Sequence, residues 1–299
     1  QEAESCYRQA ININPNFKEV FYNLGVMLYE AHKYESAAEQ FKLTDFSDSK
    51  SYLLRCLFLL DKKSLFYDQY DYLVGKGEIN AIIGSLGCRS SLKYGIEKRN
   101  LFCKYPLKYV LDINLKNKYD FETVFVGTAN KILKAEKTTF RAQSLLTNGL
   151  QTHGNIFSLN SELTNKIEEI IRIEVDSYKY YYKNSEEGLI KNWPAEYTVS
   201  GWLISMKSGS QIRPHMHERG WLSGSIYINV PPKTNANSGN LVVCIEDDQL
   251  INKSIKNPKN IVNVTTGSLA LFPASLLHYT IPFEAQEERI VLAFDIIPK

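Results

Sequence analysis

After Trp193-Pro194 the chain breaks into short runs of Val, Ile, Leu, Phe and Tyr, each closed within a few residues by Gly, Pro, Asn or Ser. β-Branched and aromatic residues suit a pleated, half-buried surface, and runs this short are strands rather than helices. The pattern predicts strands over residues 199–206, 211–217, 222–230, 240–245, 261–264, 268–272 and 289–297. So many short strands in roughly 100 residues must hide their edges by closing into a sandwich or jelly roll.

The front of the chain has a different period. Ala3, Tyr7, Ala10 and Pro15 carry the spacing of the second helix and closing proline of a tetratricopeptide repeat (TPR), and Phe21, Leu24, Gly25, Leu28, Ala37 and Phe41 form the next full unit. Gly25 and Ala37 are small where two antiparallel helices approach, and the larger side chains fill the gap between them. Apolar periodicity continues over 51–60, 65–73 and 78–86 without the repeat's signature residues. A free-standing stack needs about three repeats, so this region is expected to dock on the β-rich segment behind it or to continue upstream of Gln1, which already sits in a helical pattern. Residues 161–182 form a further long helix candidate, with Leu163, Ile167, Ile170, Ile171, Ile173 and Val175 near period 3.6. The fold class is therefore α+β: TPR-like helical hairpins over 1–95, then a β domain with supporting helices over 96–299.

Composition removes several classes of function. Of 299 residues, 35 are Lys or Arg and 33 Asp or Glu, with no basic stripe to neutralise phosphates, which argues against a nucleic-acid partner. No apolar run approaches the roughly 20 residues of a membrane span, so no membrane partner is expected. Five scattered cysteines without a Cys-x-x-Cys pair fit neither a disulfide framework nor a zinc cluster, and a reducing, cytoplasmic setting is the simplest reading.

Three of the five histidines fall in the β segment. On a strand, residues two apart point to the same face about 6–7 Å apart, so His215 and His217 of His-Met-His can converge on one ion. His278, 61 residues after His217, supplies a third nitrogen from another strand. Glu218 faces the other side of a regular strand, and only a bulge or strand end at Arg219-Gly220 turns it inward. Arg289, opening the last run, offers a fork that matches a carboxylate bidentately. Ser223, Ser225, Tyr227 and Asn229 alternate along one face of the run after the paired histidines, and Trp202 and Trp221 are candidates to wall a pocket.

His215-Met-His-Glu-Arg-Gly-Trp-Leu-Ser-Gly224, Tyr227, Pro231, Leu271-Phe272-Pro273, His278, Pro282-Phe283 and Arg289-Ile-Val-Leu-Ala-Phe-Asp295 resemble the 2-oxoglutarate/Fe(II)-dependent oxygenase family often fused behind TPRs. Gln143-Ser144 and Gly149-Leu-Gln-Thr152, with Gly154 and Phe157, are similar to that family's upstream segment. The resemblance spans roughly residues 100–299. It implies a double-stranded β-helix (jelly-roll, cupin-like) catalytic domain, Fe(II) and 2-oxoglutarate as cofactors, and hydroxylation of a C–H bond in a peptide or protein side chain or a small molecule, with release of succinate and CO2. Carried onto this chain, it makes His215, His217 and His278 the metal ligands and Arg289 the anchor of the distal carboxylate of 2-oxoglutarate. Residue 291 is Val, without the hydroxyl many relatives place there, and Tyr227 or Ser223 would complete that carboxylate pocket. The middle metal ligand is His where the family pattern more often has a carboxylate, and Glu218 stands where a proline is usual.

Two other readings stand beside this one. A three-His iron dioxygenase would ligate its substrate without a keto acid, with Arg289 on a substrate carboxylate. A non-catalytic TPR interaction protein could carry a β-sandwich that has lost its chemistry, although a decayed site would be expected to lose at least one histidine. The repeats point to a protein or peptide partner, or to packing on the domain behind them.

Overall fold

The structure, a computed structural model, describes residues 2–141, 143–252 and 254–299. Gln1, where the sequence places a helix already under way, lies outside them. The chain divides into two units, one ending at Phe102 and one spanning Cys103–Lys299.

In the first unit the described residues form helices α1 (Glu2–Ile13), α2 (Lys18–Glu30), α3 (Tyr34–Lys42), α4 (Ser49–Leu59), α5 (Lys63–Gly75) and α6 (Ala81–Tyr94). Pro15 lies between α1 and α2, where its missing N–H and its ring end the first helix. The small residues of the α2–α3 pair mark a close crossing: a Cβ on Gly25 would stand 2.6 Å from the Phe41 ring, and Ala37 and Phe41 are fully buried. Helix α6 starts on Asn80, whose side chain accepts from the Ile83 N–H and satisfies one of the orphan donors of the first turn.

The second unit joins helices α7 (Gly127–Lys134), α8 (Glu162–Tyr181) and α9 (Gly188–Lys191) to strands β1 (Leu111–Asn114), β2 (Phe140–Arg141), β3 (Leu146–Thr152), β4 (Tyr197–Ile212), β5 (Leu222–Asn229), β6 (Leu241–Cys244), β7 (Lys259–Val262), β8 (Ser268–Pro273), β9 (Leu277–Thr280) and β10 (Arg289–Pro298). Among the described residues these make one sheet in the order β1-β8-β5-β10-β4-β3-β2 and a second in the order β7-β6-β9, all pairs antiparallel. Strand β10 lies between β4 and β5, so its side chains are fixed from both edges. Helix α8 begins with a capping box between Ser161 and Thr164 and buries Ile167, Ile170, Ile171 and Val175, whereas Ile173 falls on its outer face.

Three expectations need correction. Residues 199–206 and 211–217 are not two strands: β4 runs unbroken over sixteen residues through the Lys207-Ser-Gly-Ser210 cluster. Gly209 takes a left-handed φ of 75° opposite Asn148, where the β3–β4 register slips, so this polar stretch makes a bulge and not a break. The strand also stops at Ile212, before His-Met-His, because Pro214 has no N–H to give to a ladder. The third concerns 277–280, where too few residues carry the period for the sequence to declare a strand, yet β9 pairs with β6. Among the described residues, no helix is long and apolar enough to cross a membrane. The five cysteines are free thiols.

Candidate metal centre

The stretch carrying His215 is extended but joins no long strand. Its backbone makes an isolated antiparallel bridge with His278: the His215 N–H donates to the His278 carbonyl at 3.1 Å and the His278 N–H to the His215 carbonyl at 2.8 Å. Two residues on, the Gly220 N–H donates to the His217 carbonyl at 3.0 Å and closes a turn over Glu218 and Arg219. One bridge and one turn thus bring the three rings together, with centroids 4.2 Å apart for His215–His278, 4.8 Å for His217–His278 and 5.2 Å for His215–His217. One ligand nitrogen from each lies within 4.8 Å of the others. Among the described residues no other cluster of three or more His, Cys, Asp or Glu side chains is placed this way, and neither Glu218 nor Asp247 joins this one.

The proton positions are set by the neighbours. His215 Nδ1 lies 2.9 Å from the Arg213 carbonyl, which only accepts, and His217 Nδ1 lies 2.6 Å from Asp295 Oδ1. Both Nδ1 atoms therefore carry the proton, which leaves the two Nε2 atoms as bare lone pairs facing each other at 3.3 Å. Two acceptors cannot bond to each other, and a cation between them removes the conflict. A metal about 2.1 Å from each of two nitrogens at a right angle sets them about 3 Å apart, close to what is found. Burial and the neighbouring His217 hold His215 down to about 4 from the usual 6.5, and burial with the other two rings holds His278 well below it. Neutral imidazoles are the form a metal needs.

The rings open onto a pocket that also takes in Trp202, Ile204, Tyr227, Arg289 and Val291. Arg289 is 1% exposed. Its guanidinium lies over the Tyr227 ring, 5.0 Å from the centroid, and its Nη1 donates to the Gly239 carbonyl, while Nε is buried with no hydrogen-bond partner. Among the described residues no carboxylate pairs with it. A buried cation without an anion is costly, so this cavity suits an anionic ligand. Burial lowers the Arg289 pKa, with Tyr227 acting against it, and burial pushes the Tyr227 phenol up to about 12, so its hydroxyl keeps its proton at neutral pH. The three histidines, Arg289 and Tyr227 share this one pocket. Ser223 lies behind it instead, its hydroxyl donating to Asp295 Oδ1 at 2.8 Å. Trp202 lines the pocket edge-on to His217, whereas Trp221 is buried elsewhere with its Nε1 donating to the Leu189 carbonyl.

Two residues of the site have no role in the reading of the sequence. Gly239, with φ 70°, gives its carbonyl to Arg289, and a Cβ there would stand 2.6 Å from Nη1. Asp295 holds His217 from behind. Period-2 alternation was the available signal for Asp295, since it lies six residues after Arg289 and so on the same strand face.

Residues 200–295 match the model of the family described as "Putative 2OG-Fe(II) oxygenase". No curated protein matches. Among solved structures the chain is similar to a prolyl-4-hydroxylase of Pseudomonas putida, at 12% identity and a TM-score of 0.46 over 64% of this chain and 92% of that one. It is similar also to SnoN, a non-heme alpha-ketoglutarate-dependent epimerase from nogalamycin biosynthesis (11%, TM-score 0.46, 63% and 77%). A third similar structure is a prolyl hydroxylase of Trichoplax adhaerens in complex with a hypoxia-inducible factor peptide fragment, at 10% identity and a TM-score of 0.44 over 73% and 90%. The family match covers the segment that carries the three histidines and Arg289, and their donor set suits Fe(II) and a dicarboxylate. The second unit therefore carries a 2-oxoglutarate- and Fe(II)-dependent dioxygenase domain.

Proposed function

We propose that the second unit is a double-stranded β-helix hydroxylase in which His215, His217 and His278 hold Fe(II), and Arg289 anchors the distal carboxylate of 2-oxoglutarate. The observation that carries this is one pocket shared by three imidazoles, two of them with bare nitrogens face to face, and a buried guanidinium that pairs with no carboxylate among the described residues. When bound, Fe(II) and 2-oxoglutarate supply oxygen activation coupled to decarboxylation: one oxygen atom of O2 enters succinate and the other a C–H bond of the substrate. The Arg289 fork and the Tyr227 hydroxyl orient the keto acid by donating to its far carboxylate. Trp202, Ile204 and Val291 keep water from the reacting face. The substrate is a peptide or protein side chain or a small molecule. The first unit is read as TPR-like hairpins, supported by Gly25 and Ala37 at the α2–α3 crossing, and as the place where a protein partner binds. The domain division proposed from the sequence is 1–95 and 96–299. Five free thiols support a reducing, cytoplasmic setting.

The test is anaerobic reconstitution of the full chain with Fe(II) and 2-oxoglutarate. A visible charge-transfer band that needs both, then succinate release on adding oxygen with candidate substrates, is expected. Fe(II) binding without any effect of the keto acid would replace this reading with a three-His dioxygenase that ligates its substrate directly.

A further inference from the structure

Strand β10 presents Arg289, Val291, Ala293 and Asp295 on one face, since side chains alternate along it. The first three line the pocket. The fourth is buried at 6% exposure, and its carboxylate faces the ring of His217. Oxygen Oδ1 of Asp295 accepts from His217 Nδ1 at 2.6 Å and from the Ser223 hydroxyl at 2.8 Å. The two strands fix this arrangement, because Asp295 and Ser223 are direct register partners of β10 and β5. Ser223 Oγ also lies 3.3 Å from His217 Nδ1, so hydroxyl, carboxylate and ring close a triangle behind the metal-facing nitrogen.

We propose that Asp295 is the carboxylate of this metal centre, acting through His217 rather than on the ion. The inference rests on the Fe(II) reading above. A site of three neutral imidazoles lacks the negative charge that a directly bound carboxylate would bring, and Asp295 restores it one ring further out. Its oxygen fixes the Nδ1–H tautomer of His217, aims Nε2 at the ion and makes that nitrogen a stronger donor. Ser223 steadies the same oxygen. Asp295 and Ser223 are thus positioning residues; neither touches the ion or the keto acid.

Two measurements on the full chain test this. In the metal-free protein, nitrogen NMR of the histidine rings should show His217 as the Nδ1–H tautomer, and Asp295→Ala should turn it toward the Nε2–H tautomer that free imidazole side chains prefer. A purely structural carboxylate would leave the tautomer unmoved. Anaerobic Fe(II) titration against a competing chelator should show affinity falling about 10- to 100-fold in Asp295→Ala. Asp295→Asn, which can still accept from Nδ1 but carries no charge, should lie between wild type and Ala, and Ser223→Ala should lose less. Should Asp295→Ala fail to fold, the Asp295→Asn and Ser223→Ala variants carry the test. Wild-type affinity and tautomer in Asp295→Ala and Asp295→Asn would overturn the proposal while leaving the oxygenase reading intact. A wild-type protein that binds neither Fe(II) nor 2-oxoglutarate would instead overturn the reading beneath it.

Discussion

Arg289 is almost wholly buried and, among the described residues, has no carboxylate beside it, so its replacement tests the proposed anchoring of 2-oxoglutarate directly. Removing a charge-assisted bidentate pair costs about 1.5–3 kcal/mol, so Arg289→Ala should weaken 2-oxoglutarate binding about 10- to 100-fold by titration of the Fe(II)-loaded protein, with Fe(II) affinity nearly unchanged. Unaltered keto-acid affinity would move the anchor elsewhere. The histidines give a pH prediction. His215 is held down to about 4 in the folded chain against 6.5 ordinarily, so below pH 6.5 the unfolded chain takes up a proton that the folded one refuses. Stability from this group is complete above pH 6.5 and is lost as pH falls toward 4, at most about 2 kcal/mol of it by pH 5. Urea unfolding of the metal-free protein should show that loss, and equal stability at pH 5 and 7 would contradict it. At this scale much was readable in advance: His-x-His, a distant third His and an Arg are distinctive residue types in a distinctive order. What could not be read was which acceptor the His215 and His217 rings face from behind, because Arg213 and Asp295 reach them through a local turn and strand register, neither of which leaves a motif.

Strand β10 is the element on which both ends of the site depend, and its inward face carries Arg289 at one end and Asp295 at the other. Its opposite face is locked by Phe294, whose ring would stand 2.2 Å from a Cβ added to Gly224 on β5. Gly224→Ala should therefore destabilise the protein by about 1–3 kcal/mol in denaturant unfolding, because the ring must leave its seat or the strands must part. Shifting β10 should also weaken Fe(II) and 2-oxoglutarate binding together, which neither Arg289→Ala nor Asp295→Ala is expected to do. A variant as stable as wild type would show that Phe294 has room to move. Elements differ in how openly the sequence announces them. Strand β8 is an apolar run closed by Pro273, β5 sets Ser223 and Ser225 among apolar residues, β10 is apolar apart from Arg289 and Asp295, and α8 opens with Ser161 as its cap, so each is legible locally. Strands β1 and β2 span only four and two residues, and β3 carries Asn148-Gly149 in its middle, so their pairing is decided by partners far along the chain. The paired histidines sit outside any ladder, a consequence of Pro214 that the alternation of neighbouring runs conceals.

At the scale of the molecule, the pocket residues Gln143, Trp202, His215, His217, Tyr227, Leu241, His278 and Arg289 all come from the second unit. That unit has its own buried core, running from Leu203 on β4 and Ile226 on β5 to Leu269 on β8 and Leu292 on β10. The α+β division was legible because apolar spacing switches from helical period to short alternating runs within one chain. The end of the first unit was harder to see, because the stretch after Tyr94 keeps apolar residues but no period: Phe102 is buried against Gly84 of α6 and so belongs with the helices. A chain starting at Cys103 should therefore fold and bind Fe(II) and 2-oxoglutarate with affinities within a few fold of the full chain. Cutting before Phe102 instead would strip α6 of that ring and leave an apolar side chain at the new terminus. The measurement is anaerobic titration with Fe(II) and then 2-oxoglutarate, run on residues 103–299 after circular dichroism has verified its strands. A folded fragment that binds neither ligand would show that the metal centre depends on the helical unit.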